Sequence, residues 1–430
     1  MSLAKIHPDL RRTMREADAS QTIPVIVRYR RAQDEVSPQG LPMAFTPYPT
    51  YRTISAVATE GTRADILAMA DHPAIERIWE DLPVHTLLDR SAPLIGAPRV
   101  WSNGDEGTGV KVGLVDTGCD LNHTDLKERV RASQDFTGKG SAQDGNGHGT
   151  HVAGIIAGSG AMSGGSYRGI APAADLYIAK VLDDQGNGRT SNVIAGLEWV
   201  VDQGVSIVNL SLGSDGSCDG TDALSEACDA AVAEGVCIMV AAGNAGPDSH
   251  SVGSPGCARD VITIGAGTDE DTIASFSSRG PTEDGRVKPD VVFPGAKIIS
   301  ARAAGTSLGR VVDTNYVELS GTSMATPHAS GVAALLLAAN ASLTPAQIKE
   351  RLMATAVDLG LDANSQGTGR GDVYAAWQAV HTTPTPTPPE PTPTPPPSPP
   401  EPTPTPTPPP KPPPTPGGCV LTLLLAFHLF

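Results

Sequence analysis

From Val110 onward, short apolar runs alternate with longer amphipathic ones. Lys111 to Val115 predicts a buried strand ending at Asp116, and His148 to Ala157 a helix opened by glycines. Strand patterns recur over Leu176 to Leu182, Ile207 to Leu212, Val236 to Ala242 and Val261 to Gly265. Helical patterns over Asn192 to Val201 and Thr221 to Glu234 separate them. Such alternation predicts an α/β fold: a doubly wound, mostly parallel sheet with helices on both faces. Ligands then bind at the carboxyl ends of the strands, where Asp116, Ser211 and Asn244 fall. A long Ala- and Leu-rich helix is predicted from Thr322 or Ser323 to Ala338. Another runs from Thr344, a good N-cap followed by Pro345, to about Thr355.

Before Val110 the pattern changes. Gln21 to Leu88 reads as a small α+β unit, with strands over Ile23 to Tyr29 and Ile54 to Ala58, a helix over Thr62 to Asp71, and an extended stretch from Ala74 to Trp79 leading to Val84. After Thr382 the chain is almost all Pro, Thr, Glu and Ser to Pro416, which buries no core and predicts an extended polyproline spacer. Four segments result: 1–90, 91–382, a Pro/Thr-rich disordered linker over 383–418, and a short apolar tail over 419–430. The tail run from Val420 to Phe430 is too short for a membrane span, which needs about 20 apolar residues.

The formal charge of −16, from 47 acidic and 31 basic residues, argues against nucleic acid or anionic membranes as partners. No apolar stretch that could serve as a signal peptide occurs in Met1 to Arg12 or onward through Ala32, which read literally indicates an intracellular protein. The Pro/Thr tail points the other way, to a secreted or cell-surface one, and the compartment stays open. Cys119, Cys218, Cys228, Cys237, Cys257 and Cys419 show no zinc-like spacing. Six cysteines allow 15 pairings; Cys218 with Cys228 is the preferred bridge, while Cys119 and Cys237, in apolar runs, read equally well as buried thiols.

Three motifs carry chemistry: Val115-Asp116-Thr117-Gly118, Gly147-His148-Gly149-Thr150-His151, and Gly321-Thr322-Ser323-Met324-Ala325-Thr326-Pro327-His328. A serine hydroxyl needs an imidazole to take its proton and a carboxylate to hold that imidazole in the right tautomer. The order Asp, His, Ser is that of subtilisin, and from about Trp101 to about Val380 the chain resembles the subtilases, the subtilisin-like serine peptidases. A second Asp-Thr/Ser-Gly, needed by an aspartic peptidase, is absent, and the serine context is not the G-x-S-x-G of an esterase. The remaining rival is a subtilase-like scaffold kept for binding or adhesion.

The resemblance implies that Asp116, His148 and Ser323 are catalytic, that His151 is structural, and that the Asn244 amide with the Ser323 N–H forms the oxyanion hole. It implies a substrate strand held between Gly186-Asn187-Gly188 and Ser211-Leu212-Gly213, and a pocket walled by Ser211 to Gly213 and Ala241-Ala242-Gly243 with Gly253 at its base. That pocket carries no charge and predicts large apolar residues before the cut. The α+β unit corresponds to a ferredoxin-like propeptide, cut between roughly Thr86 and Ala92 and kept as an inhibitor; an unrelated accessory domain is the alternative. Polypeptides are the implied substrates and the chemistry requires no cofactor. Many subtilases hold calcium through a residue matching Asp125 and a loop matching Gly158 to Arg168, but that loop lacks the expected Asn ligands here, so no metal residue is assigned and the usual site is doubtful.

Overall fold

In the computed structural model, seven strands form the central sheet, and every adjacent pair is parallel. The described residues are 3–18, 20–29, 50–51, 54–81, 83–86, 94–214, 216–381 and 410–411. The N-terminal elements are α1 (Pro8–Glu16), β1 (Thr22–Tyr29), β2 (Thr50–Tyr51), β3 (Ala56–Thr62), α2 (Arg63–Asp71), β4 (Ile75–Glu80) and β5 (Pro83–Thr86). There follow α3 (Ala97–Trp101), β6 (Lys111–Asp116), β7 (Val130–Asp135), α4 (His148–Ala157), β8 (Asp175–Lys180), β9 (Asn187–Arg189) and α5 (Thr190–Asp202). Next come β10 (Ile207–Leu210), β11 (Leu212–Gly213), α6 (Ala223–Ala233), β12 (Cys237–Ala241), β13 (Ile262–Gly267), β14 (Val291–Pro294), β15 (Ile298–Ala301), β16 (Arg310–Val311) and β17 (Tyr316–Leu319). The last helices are α7 (Thr322–Ala339), α8 (Pro345–Ala354), α9 (Ala363–Gln366) and α10 (Val373–His381).

The central order is β14-β13-β12-β10-β6-β8-β7. Successive strand residues point to opposite faces, and two separate cores result. Val112, Leu114, Ile207, Cys237 and Met239 pack with α4 and α7, whereas Val115, Val208, Ile238 and Val240 pack with α5 and α6. The strand order reverses beside β6, the crevice where doubly wound sheets bind ligands.

The N-terminal sheet runs β2-β3-β1-β4, all antiparallel, with α2 joining β3 to β4. Its β1 residues Ile23, Val25 and Val27 face α1 and α2, while Ile26 and Trp79 face α5 and α6. Trp79 Nε1 donates to the Thr221 carbonyl at 2.8 Å, and Tyr51 OH to that of Ser191 at 2.9 Å. The Arg28 and Arg77 guanidiniums meet Glu226. Asp81 accepts from the Ser191 N–H at 2.7 Å, capping α5, whose own N-cap Arg189 supplies no side-chain bond.

The expected strand at Ile54 to Ala58 begins at Ala56 and reaches Thr62, because Thr62 is the α2 N-cap in a capping box with Asp65. The strand expected through Leu212 stops at Leu210; Leu212 and Gly213 pair with β5 instead. The expected Cys218–Cys228 bridge is replaced by Cys218–Cys257. Cys228 lies within α6, fully buried in the core; Cys119 and Cys237 are buried thiols as well. Residues Met1–Thr383 form one compact unit and Pro384–Phe430 another. The linker and apolar tail expected over 383–430 lie outside the described residues apart from 410–411, which are exposed and have no regular secondary structure. No helix among the described residues is long and apolar enough to cross a membrane.

Candidate active site

Asp116 ends β6, His148 opens α4, and both side chains are fully buried. His148 Nδ1 lies 2.7 Å from Asp116 Oδ1, which also accepts from the Thr117 N–H at 2.7 Å. The approach depends on Gly149, where a Cβ would sit 2.1 Å from the Gly118 carbonyl oxygen. With Nδ1 committed to the carboxylate, Nε2 is the nitrogen set for proton transfer.

Ser323 is the second residue of α7, so its N–H belongs to the first turn, before the regular i→i−4 bonds begin. Its hydroxyl donates to the Ser211 carbonyl at 3.0 Å, and the Ser211 hydroxyl returns a bond to the Ser323 carbonyl at 2.8 Å. Asn209 Nδ2 donates to Ser211 Oγ, and Ser330 Oγ to Asn209 Oδ1, both at 2.9 Å, so the end of β10 is stitched to α7.

Asn244 follows β12, and its Oδ1 accepts from the Thr322 N–H at 2.9 Å and the Thr322 hydroxyl at 3.1 Å. A backbone N–H can only donate, so the carbonyl end of the amide is fixed there and Nδ2 is the outward group. The Gly243 N–H donates to Thr322 Oγ1 at 3.2 Å, tying the segment Ala241 to Gly243 to the same helix turn. The segment Ser211 to Gly213 continues to Ser214, whose N–H donates to the Ser254 carbonyl at 2.9 Å. Gly253 packs so closely that a Cβ would meet the Ser214 carbonyl oxygen at 2.0 Å. The backbones of Gly186 to Gly188 and Ser211 to Gly213 flank a shared strand. β5 lies antiparallel between β11 and β9, with His85 opposite both Gly213 and Asn187, Thr86 opposite Leu212, and Val84 opposite Gly188.

His151 is buried one turn along α4, its Nε2 at 3.1 Å from the Ile298 carbonyl and 3.2 Å from that of Val317. Burial above all holds its pKa down to about 3, so it stays neutral and clips α4 to β15 and β17. Asp125 does not fit a cation. Its Oδ1 accepts from Ser159 Oγ at 3.1 Å and the Met162 N–H at 3.2 Å, and its Oδ2 from the Tyr316 hydroxyl. Protein donors therefore fill the carboxylate that the resemblance would give to calcium. Asp184 pairs with Lys180 and Lys139, and Asp183 accepts from the Gln185 and Asn187 N–H groups. Among the described residues one grouping of potential ligands is close enough for a metal, Cys218, Asp222 and Cys257, and its sulfurs are joined to each other.

Two supporting side chains escaped the motif reading. Lys180, buried in β8, donates to the Thr117 carbonyl at 2.5 Å. Asp144, buried before α4, touches both the Thr117 hydroxyl and the helix N-terminus. An isolated Lys and an Asp in a Gly/Asn loop read as solvated charges; only the fold brings them to the site.

The subtilase family matches residues 107–371 of this chain. Serine protease AprX of Bacillus subtilis (strain 168) is 41% identical over 326 residues, covering 70% of this chain and 73% of that protein. Subtilisin DY of Bacillus licheniformis is 39% identical over 288 residues, 66% of this chain and 97% of that protein. Subtilisin E of Bacillus subtilis (strain 168) is 37% identical over 336 residues, 76% and 82% respectively. The chain belongs to the subtilase family and is a subtilisin-like serine endopeptidase.

Proposed function

We propose that Ser323 attacks the peptide carbonyl, His148 removes its proton, Asp116 orients and stabilises the imidazolium, and Asn244 Nδ2 with the Ser323 N–H holds the oxyanion. The Ser323 hydroxyl exchanges its bond to Ser211 for one to His148 Nε2, and water activated by the same imidazole releases the acyl-enzyme. Neutral His148 is required, so activity falls at acid pH as that imidazole is protonated. Residues 1–90 act as a self-processed inhibitor of the catalytic unit 91–382.

The observation that carries this reading is β5. A segment just upstream of the expected cut lies extended between the two backbone edges that a substrate would use, the main-chain recognition of strand addition. Cleavage after Thr86 and before Ala92 would leave that strand as a product in the groove. The expected cut itself lies outside the described residues. The absence of charge at Ser211 to Gly213, Ala241 to Gly243 and Gly253 favours large apolar side chains before the scissile bond; a peptide library cut mainly after Lys or Arg refutes this.

Intact masses of the purified wild type and Ser323→Ala after identical incubation test the whole. Loss of the N-terminal segment in the wild type alone supports self-processing by Ser323. Loss in both refutes self-processing, and full-length protein in both, with no peptidase activity, favours a binding scaffold.

A further inference from the structure

The bond between Asp116 and His148 joins two residues on different elements, the end of β6 and the start of α4. One buried carboxylate holds both sides. Asp144 is 2% exposed and lies in the loop between them. Its Oδ1 accepts from the Gly147 N–H at 2.8 Å, the Asn146 N–H at 3.0 Å and the Thr117 hydroxyl at 3.0 Å. Its Oδ2 accepts from the Thr150 N–H at 2.9 Å and the Thr150 hydroxyl at 2.6 Å. The N-cap residue of α4, Gly147, has no side chain to offer, so Asp144 satisfies the first turn in its place, where a negative charge also suits the helix dipole.

The connection to the other side runs through Thr117. Its N–H donates to Asp116 Oδ1, and its hydroxyl accepts from the Gly149 N–H at 2.9 Å while donating to Asp144. The Thr150 hydroxyl in turn accepts from the Asp120 N–H at 2.8 Å. Both termini of the Asp116–His148 bond are thus referred to one rigid anchor.

We propose that Asp144 is a positioning residue that sets the Asp116–His148 geometry through Thr117 and the first turn of α4. The inference rests on the triad assignment above. Asp144 touches no reacting atom, and its contribution is to keep the imidazole within the narrow range of orientations that proton transfer accepts.

Asp144→Asn is nearly isosteric yet cannot reproduce the site. Each carboxylate oxygen faces at least one backbone N–H, which cannot become an acceptor, so either orientation of the amide sets donor against donor. A displacement of about 1 Å costs on the order of 10²-fold in rate, and a fall in kcat of that order is expected, with KM within about threefold. Thr117→Val removes the hydroxyl link and frees the Gly149 N–H but leaves the Asp144 bonds to the Gly147 and Thr150 N–H groups in place; kcat falls there too, whereas Thr117→Ser restores it. The double variant Asp144→Asn/Thr117→Val is no slower than Asp144→Asn, because the two act in one chain of contacts.

Full-length variants are assayed on a chromogenic peptide, with active-site titration and thermal melts. Folded, fully titratable Asp144→Asn with low kcat and unchanged KM supports the proposal. Unchanged kcat per titrated site, with only the number of sites or the melting temperature reduced, overturns it, as does Thr117→Val at wild-type kcat. Ser323→Ala is the control for the underlying reading: retained activity there removes the triad assignment itself, whereas inactive Ser323→Ala beside normal Asp144 and Thr117 variants removes this inference alone.

Discussion

The N-terminal sheet and the central sheet are both buried on two faces, but not in the same way. Each face of the central sheet is covered by helices following in the same chain segment, α4 and α7 on one side, α5 and α6 on the other. The N-terminal sheet covers one face with its own α1 and α2 and places the other on α5 and α6. Neighbours in β4 show the division: Ile78 is buried in the unit's own core, and Trp79, equally buried, belongs to the core of the catalytic unit. The N-terminal sheet therefore has one face in a core of its own and the other in a core shared with α5 and α6, and the two can be perturbed separately.

The largest expected effect is a difference in pH response. His151 is neutral in the folded catalytic unit down to about pH 3, while in the unfolded chain it titrates near the ordinary value of about 6.5. Between those values the unfolded state holds the proton and the folded state does not. Stability falls as pH falls through that window, by up to about 5 kcal/mol. At the docking face the sign is opposite. Burial raises the Asp81 carboxyl, against its bonds to Ser191, and raises Glu226, against Arg28 and Arg77. The docked state then binds protons more tightly than the separated one, and docking strengthens as pH falls into the range just above ordinary carboxylate values. Denaturant melts from pH 7 to pH 4, with His151→Gln as the flattened control, measure the first. The protection factor of the Ser191 amide in full-length Ser323→Ala, corrected for the pH dependence of intrinsic exchange, measures the second, and lower protection at pH 5 than at pH 7 contradicts it.

The Cys218–Cys257 bridge closes a loop with a sequence separation of 39. Loop-closure entropy assigns about 4 kcal/mol to such a crosslink, a model-dependent figure. Cys218→Ser with Cys257→Ser is expected to lower the urea midpoint of the catalytic unit and, because Thr221 receives Trp79 close by, to loosen docking as well. Loss of stability with unchanged docking would show that the loop keeps its shape without the bridge.

A smaller and sharper test uses the two neighbours in β4. Ile78→Ala removes core volume from the N-terminal unit and is expected to cost about 2 to 4 kcal/mol, seen as faster amide exchange in the β1–β3 ladder. Trp79→Ala loses an anchor and its bond to Thr221, about 2 kcal/mol or roughly thirtyfold in docking. It is expected to accelerate exchange at the N-terminus of α5 while the β1–β3 ladder stays protected. Identical exchange patterns in the two variants would mean that folding and docking are one event.

Much of this was readable from residues alone where burial is complete. The sequence pattern places α4 from His148 to Ala157, as observed, and β6, β8, β10, β12 and β13 lie within a few residues of their apolar runs. Edges and long-range partners were not readable in this way. β7 is an edge strand of largely exposed or half-buried polar residues and carries no apolar run, and the short β14 to β17 were passed over. α1 had a usable signal, Pro8 at its first turn with Leu10 and Met14 one turn apart. The cysteine pairing failed for a geometric reason: proximity in sequence favoured Cys228, but α6 turns it into the core. The Asp144 anchor is invisible because its meaning lies in Thr117, which is 27 residues away.

The smallest effect concerns the loop after α4, which direct protein bonds tie to Asp125. The Tyr316 hydroxyl donates to Asp125 and is pushed to a raised pKa, first by burial and then by that bond, so it keeps its proton through the working pH range. Ser159 and the Met162 N–H complete the set on the other oxygen. Tyr316→Phe deletes one hydroxyl from a buried carboxylate that keeps two other donors, so the expected cost is about 1.5 to 3 kcal/mol, the usual range for a hydrogen bond to a charged group. Cleavage of the Gly158 to Arg168 loop by an added protease should accelerate by a similar factor, while chelator leaves both variants unchanged. A chelator-dependent melting temperature in the wild type, or calcium restoring Tyr316→Phe, would show that a cation shares this carboxylate after all.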